Sequence, residues 1–335
     1  PTSHLSFMNF ASRESGHVGF LSQSGGNARE TTTIANARGI RFSKVISYGN
    51  ACDLDETDFL DYLMHDGETE TIAAYIEGVK RGRRFFQVLR EAARVKPVII
   101  LKGGWTNAGG RAALSHTGAL VGDKRVWDVI YSQAGAVQAH DMEDLIDLIL
   151  AFSSIAPPEG SRTGIIGLGG GASVQGADDC EREGLIVPEL SPGVRSKLSE
   201  LAPEAGTSVC NPVDSSPEVF WHPRQLAETI RIVANCGEID LLLVNTVISQ
   251  RRYQENPDMI RMQAETIIEA NKWCVKPLVL VLRYGGNLET TGIISEIKEI
   301  KQKCALAGLP VYPTTWRAAR ATSKLIQYHR WRSDE

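Results

Sequence analysis

Short β-branched runs alternate with amphipathic stretches along the whole chain, the pattern of parallel α/β units. In the first half the spacing predicts strands over Val18–Leu21, Lys44–Ser47, Ile72–Ile76 and Val98–Lys102. Helices are expected over Asn27–Arg38, Glu56–Asp66, Arg84–Arg94, Arg125–Ala134 and Met142–Phe152. Gly39 falls where a glycine ends a helix, and Pro97 stops the helix before it. Ser153–Thr163 is polar with paired prolines and reads as a linker. After it the plan restarts with a strand at Gly164–Leu168 and a helix from the Gly169-Gly170-Gly171 turn through Glu183. Strands follow at Leu241–Asn245 and Leu278–Leu282, with helices at Arg224–Ala234, Ile260–Asn271, Ile293–Ala307 and Ala318–Tyr328.

The halves also share wording. "KPVIILKGG" (Lys96–Gly104) returns as "KPLVLVLRYGG" (Lys276–Gly286), and each half opens strand, glycine turn, helix. The expected fold is therefore α/β, with two flavodoxin-like parallel-sheet domains over residues 1–154 and 163–335. Such domains bind ligands where strands end and helices begin.

Three stretches at such places carry candidate chemistry. Ser22-Gln23-Ser24-Gly25-Gly26 follows the first strand and opens the first helix. Free amides at a helix start attract a phosphate, and glycine lets the anion approach the backbone. A tight turn with a serine cap explains the same residues. Gly169-Gly170-Gly171-Ala172-Ser173 repeats the arrangement without the spacing or acidic residue of a dinucleotide site. Three glycines cost more chain entropy than a turn requires, which favours backbone approach by a ligand. The third stretch, Lys102–Leu120, is a long glycine-rich loop holding one histidine, His116, between Ser115 and Thr117. An imidazole nitrogen attacks phosphorus near neutral pH, and a loop can carry it between sites. Glu77, in Tyr75-Ile76-Glu77-Gly78 at the preceding strand end, can accept a hydrogen bond from that ring and fix its tautomer. A surface histidine and a solvated acid are the plainer alternatives.

Bulk composition narrows the classes. The chain has 335 residues, 42% hydrophobic and 23% charged, more than one core usually serves. A formal charge of -4 gives no electrostatic reason to expect nucleic acid or an acidic membrane. No apolar run approaches a membrane span, so a cytoplasmic location is expected, with the six scattered cysteines reduced. His4, His17, His65, His140, His222 and His329 have no partner at ligand spacing, so no metal site is expected. Asn50 and Asp53 suit a cap or loop brace; Arg81, Arg83 and Arg84 suit a solvated helix start; Lys80, Trp105 and Lys124 suit the surface.

As a set, these stretches resemble the NDP-forming acyl-CoA synthetases, which include ADP-forming acetate–CoA ligase and succinyl-CoA synthetase. The resemblance rests on "SQSGG" (22–26), "SYGNACDLDETDFLDYL" (47–63), "YIEG" (75–78), "KPVIILKGG" (96–104), "GGRAALSHTGAL" (109–120), "GGGASVQGADDCEREGL" (169–185) and "NPVD" (211–214), in family order over nearly the whole chain. It implies the reaction acyl-CoA + ADP + phosphate = acid + CoA + ATP, through an acyl phosphate and a phosphohistidine. His116 would carry the phosphoryl group and Glu77 would orient it. The helix starts at Ser22–Gly26 and Gly169–Ser173 would hold the phosphorylated ring, with Ser115, Thr117, Gly118, Asn211 and Asp214 in support. CoA, phosphate, ADP or ATP and Mg would be substrates of the complete enzyme, with no tightly bound cofactor. An ATP-grasp domain or subunit and an N-terminal CoA-binding domain would be partners, in an oligomer. The chain begins with Pro1, where the resemblance expects a CoA-binding domain to end, so a fragment or separate subunit is expected. A non-catalytic relative that senses phosphate or CoA is the alternative. A flavin-binding pair of domains ranks low, lacking aromatic residues beside the phosphate turns.

Overall fold

The computed structural model describes residues 14–106, 108–111, 123–167, 169–201, 208–214, 219–220, 222–285 and 291–335. The chain divides into two compact units, Pro1–Ser153 with Gln327–Glu335, and Ser154–Ile326.

In the first unit the strands are β1 (Val18–Ser22), β2 (Phe42–Ser47), β3 (Thr71–Ile76), β4 (Val98–Lys102) and β5 (Val137–Ala139). All pairings are parallel and the order is β2-β1-β3-β4-β5. The helices are α1 (Gly25–Ala37), α2 (Glu56–His65), α3 (Gly82–Val95), α4 (Lys124–Ala134) and α5 (Met142–Ser154). β1 and β4 are buried at every position, as strands covered on both faces must be. One side of the core joins Leu21, Ile72, Ile100, Leu89, Phe85 and Trp127. Asp55, and not Asn50 or Asp53, caps α2, accepting from the amides of Thr57 and Asp58 while the Asp58 carboxylate takes the Asp55 amide. Arg81 and Arg84, expected as a solvated run, pair with Asp55 and Asp58.

The second unit repeats the plan. Its strands are β6 (Thr163–Gly167), β7 (Val213–Asp214), β8 (Leu241–Ser249), β9 (Leu278–Gly285) and β10 (Val311–Tyr312), ordered β10-β9-β8-β6-β7 and parallel throughout. Counted from each unit's own first strand, both sheets read 2-1-3-4-5, the flavodoxin-like order. The helices are α6 (Gly170–Arg182), α7 (Pro192–Ser199), α8 (Pro223–Ala234), α9 (Gln250–Glu255), α10 (Pro257–Trp273), α11 (Thr291–Leu306) and α12 (Thr315–Asp334), whose residues from Gln327 onward belong to the first unit. Leu242, Leu280, Phe220, Ile230 and Ile267 lie in its core.

The structure departs from the sequence reading in three places. Val213–Asp214, expected only as part of the NPVD motif, is the edge strand β7. The short strands β5 and β10 and the helices α7 and α9 had no counterpart in the reading. The closing residues, assigned by sequence to the second domain, group with the first unit. There the Tyr328 hydroxyl donates to the Ala93 carbonyl at 2.8 Å, and the Trp331 ring fills the space a side chain at Gly135 would need. Among the described residues no helix is long and apolar enough to cross a membrane.

Candidate functional site

In an open parallel sheet ordered 2-1-3-4-5, the crevice opens where connections leave the first and third strands toward opposite sides. In the first unit that point is the end of β1 beside the end of β3, and Ser22–Gly26 and Glu77 meet there. The Ser22 hydroxyl, fully buried, donates to the Ser24 carbonyl at 2.7 Å and accepts from the Ser24 amide at 3.2 Å. Ser24 caps α1, its hydroxyl accepting from the Asn27 amide at 3.3 Å. Both hydroxyls therefore shape the turn. The amides of Gly25 and Gly26 stay exposed and have no protein acceptor among the described residues. No acidic side chain occupies the first turn of α1, whereas α2 places Glu56 and Asp58 in its own. The α1 start thus keeps its positive field for something else.

Gln23 joins this turn to the next. Its amide donates to the Tyr75 carbonyl at 3.0 Å, and its side-chain oxygen accepts the amides of Glu77 at 2.7 Å and Gly78 at 3.1 Å. Glu77 is 8% exposed, and its carboxylate accepts the Tyr75 hydroxyl at 3.1 Å. Burial, and then the Glu77 charge, push Tyr75 up to about 12, so this hydroxyl remains a donor across the working pH range. Tyr48, at the end of β2, has a buried hydroxyl with no partner among the described residues. Burial and then the carboxylates of Glu56, Asp55 and Glu77 push it upward.

The loop expected to carry the histidine leaves β4 beside Glu77. The Gly103 amide donates to the Ile76 carbonyl at 2.8 Å, and a Cβ at Gly103 would stand 2.7 Å from the Tyr75 hydroxyl. Glycine is needed there for close approach. Lys102, 2% exposed, donates from Nζ to the Glu77 carbonyl at 2.7 Å and to the Gly103 carbonyl. Ser115, His116, Thr117 and Gly118 lie outside the described residues. Two residues set aside by sequence are engaged: Lys80 Nζ donates to the carbonyls of Asn50 at 3.0 Å and Ala51 at 2.6 Å, and Lys124 Nζ lies 5.4 Å from the Trp105 ring centre. A groove of about 530 Å³ between Phe86, Asp123, Val126 and Ile130 contains none of the site residues.

The second unit presents a matching helix start. Gly169 has φ of 98°, a conformation suited to glycine, and α6 begins at Gly170 with no side-chain cap and no acidic residue in its first turn. The Asp214 carboxylate accepts the Gly169 amide at 2.8 Å and so fixes the turn. The amides of Gly170 and Gly171 have no acceptor among the described residues, while those of Ala172 and Ser173 bond back to the Gly169 carbonyl. Ser173 is 6% exposed, and its hydroxyl has no hydrogen-bond partner among the described residues. Asn211 braces the strand that leads to this turn. Its side chain accepts from the Ile165 amide at 2.9 Å and donates to the carbonyls of Thr163 at 2.7 Å and Pro188 at 3.0 Å, completing the edge of β6 away from the glycine turn.

Sequence reasoning missed two cations. Arg283, near the end of β9, donates from Nε to Asn245 at 2.8 Å, and Asn245 donates to Thr315 at 3.1 Å. Burial holds Arg283 below its usual range. Lys102 and Arg283 each close the apolar run of one of the two echoed segments. A cation ending an apolar strand run was the available signal.

Comparison with known proteins agrees with this architecture. Residues 15–152 match the family model described as the succinyl-CoA ligase like flavodoxin domain. The acetate–CoA ligase [ADP-forming] II subunit alpha of Pyrococcus furiosus is 31% identical over 93% of this chain and 65% of that subunit. The acetate–CoA ligase [ADP-forming] I of Archaeoglobus fulgidus is 30% identical over 94% of this chain and 42% of that protein. Among solved structures, the dinucleotide forming acetyl-coenzyme A synthetase 1 of Ca. Korarchaeum cryptofilum, in complex with phosphate and ADP, aligns with a TM-score of 0.80 and 29% identity. That alignment covers 96% of this chain and 66% of the other. The chain thus spans roughly two fifths to two thirds of the length of these relatives. Both sheets thus share one order, residues 15–152 carry a succinyl-CoA ligase like flavodoxin domain, and most of the chain is similar to ADP-forming acetate–CoA ligases.

Proposed function

We propose that this chain is the phosphohistidine-carrying part of an NDP-forming acyl-CoA synthetase, with His116 as the carrier. The observation that supports it most is the junction at the ends of β1, β3 and β4. A buried carboxylate, Glu77, stands beside the root of the histidine loop, in the unit whose α1 start has open amides. The chemistry needs these parts. A phosphate oxygen attacks the thioester carbonyl and the CoA thiolate leaves, giving an acyl phosphate. A nitrogen of His116 then attacks phosphorus, the P–O bond to the acyl group breaks, and the carboxylic acid leaves as its anion. Finally a terminal oxygen of ADP takes the phosphoryl group and the imidazole is restored. Glu77 accepts the proton-bearing nitrogen, so the other presents its lone pair. The open amides at Gly25 and Gly26, and at Gly170 and Gly171 in the second unit, supply fixed donors for the negative oxygens, with Ser173 as a further donor.

CoA, phosphate and ADP with Mg are the substrates of the complete enzyme under this reading. A CoA-binding domain and an ATP-grasp domain or subunit are its partners, in an oligomer working in the cytoplasm. The test is turnover of the full-length protein, with its ATP-grasp module, given ATP, CoA and acetate or a panel of other short acids. Release of ADP and phosphate that requires both acid and CoA is the expected result. Formation of AMP and pyrophosphate overturns the reading. Phosphate or CoA binding with no turnover across the panel and no labelled histidine favours a sensing relative instead.

A further inference from the structure

We propose that Lys102 is a positioning residue for phosphoryl transfer, its buried ammonium tying the strand end that bears Glu77 to the root of the loop that bears His116. The inference rests on the function proposed above.

The ammonium of Lys102 donates to the carbonyls of Glu77 and Gly103, one from each of the two segments. The face of Trp127 lies 5.6 Å away. No carboxylate hydrogen-bonds to it among the described residues. Burying a cation is costly unless dipoles or charges replace its water. The backbone already joins these strand ends through the Gly103 amide and the Ile76 carbonyl, so a link alone does not require a charge. A methionine would fill the same space without that cost. What the charge adds is a rigid clamp on two carbonyls and a positive field behind Glu77, at the edge where phosphoryl oxygens arrive. The second unit carries Arg283 on its own fourth strand, β9, as the first carries Lys102 on β4.

The groups facing Lys102 set its titration. Glu77 on β3 is the charged neighbour and raises it; burial is larger and pushes it down to about 8 from 10.5. Tyr75 on β3 stays neutral until about 12. From α4 come the Trp127 ring and Tyr131, whose hydroxyl donates to the Ile100 carbonyl and is held neutral by burial. From the β1 turn comes the uncharged Gln23. The charge on the clamp is therefore lost as pH rises through about 8. Fold stability moves the other way. Between about 8 and 10.5 the unfolded chain holds this proton and the folded chain does not, so this group makes stability rise with pH across that window.

The experiment follows single-turnover transfer of label from ATP to the full-length protein with its ATP-grasp module, from pH 6.5 to 9.5, for the wild type, Lys102→Met and Lys102→Arg. The wild-type rate is expected to fall about tenfold between pH 7 and pH 9. Lys102→Met should be about tenfold slower at pH 7 and flat over that range. Lys102→Arg, charged throughout, should keep most of the rate and lose the alkaline fall. An alkaline fall unchanged in Lys102→Met, or equal rates in that variant and the wild type, overturns the proposal. Should either variant fail to fold, the Lys102 Cε resonance of the wild type decides. A midpoint near 8 that moves lower in Glu77→Gln supports the clamp, and a midpoint at 10.5 defeats it. A wild type that takes no label at all sinks the proposed function, a result distinct from labelling that ignores residue 102.

Discussion

Glutamine at position 77 is expected to slow phosphoryl transfer onto His116 by about 10²–10⁴-fold, the range for loss of a positioned acid–base partner. The substitution keeps the side-chain volume and still offers an oxygen to the Tyr75 hydroxyl. The main-chain anchors also survive, because the Gln23 side chain and Lys102 hold the amide and carbonyl of residue 77 and not its carboxylate. What disappears is the negative charge that, under the proposed function, fixes the imidazole tautomer and stabilises the positive ring as it attacks. The loss should therefore appear in the single-turnover rate, while urea unfolding of Glu77→Gln stays close to that of the wild type. A rate within threefold of the wild type would remove Glu77 from the mechanism.

The largest stability effect around the site is expected from Gln23→Leu. One side-chain oxygen accepts two amides, Glu77 and Gly78, and leucine leaves both without a partner in a site closed to water. Each orphaned amide costs about 1–3 kcal/mol, so the urea midpoint should fall by the equivalent of about 2–6 kcal/mol with the slope unchanged. Transfer should slow as well, because the turn that bears Glu77 is no longer pinned to the α1 turn. Gln23→Glu keeps an acceptor and separates the two causes: stability should largely return. A midpoint for Gln23→Leu within about 0.5 kcal/mol of the wild type would mean that the two amides find other partners.

Much of this architecture was legible in the sequence, and the limits have physical causes. Val98–Lys102 and the α4 and α6 segments were read to within a residue, because long apolar runs and glycine or proline punctuation fix them. The strands β5, β7 and β10 are two or three residues long, too short to show a period. The glycine turns were visible as possible phosphate sites because glycine's cost needs a reason. Their bracing was not. Gln23 meets Glu77 across 54 positions of chain, and Lys102 meets Glu77 across 25, so both contacts depend on strand order. Asn211 shows a different limit. Its motif suggested the active site, yet its side chain finishes the edge of β6, while Asp214 three residues on holds the glycine turn.

The proposed function depends on one ring nitrogen accepting phosphorus. The direct measurement incubates the full-length protein and its ATP-grasp module with ATP labelled at the terminal phosphate, then maps the label by peptide mass spectrometry. The account predicts label that survives base, is lost in acid, lies on the peptide containing His116, and is absent from His116→Ala. Label retained in His116→Ala, or mapped to another residue, would contradict it.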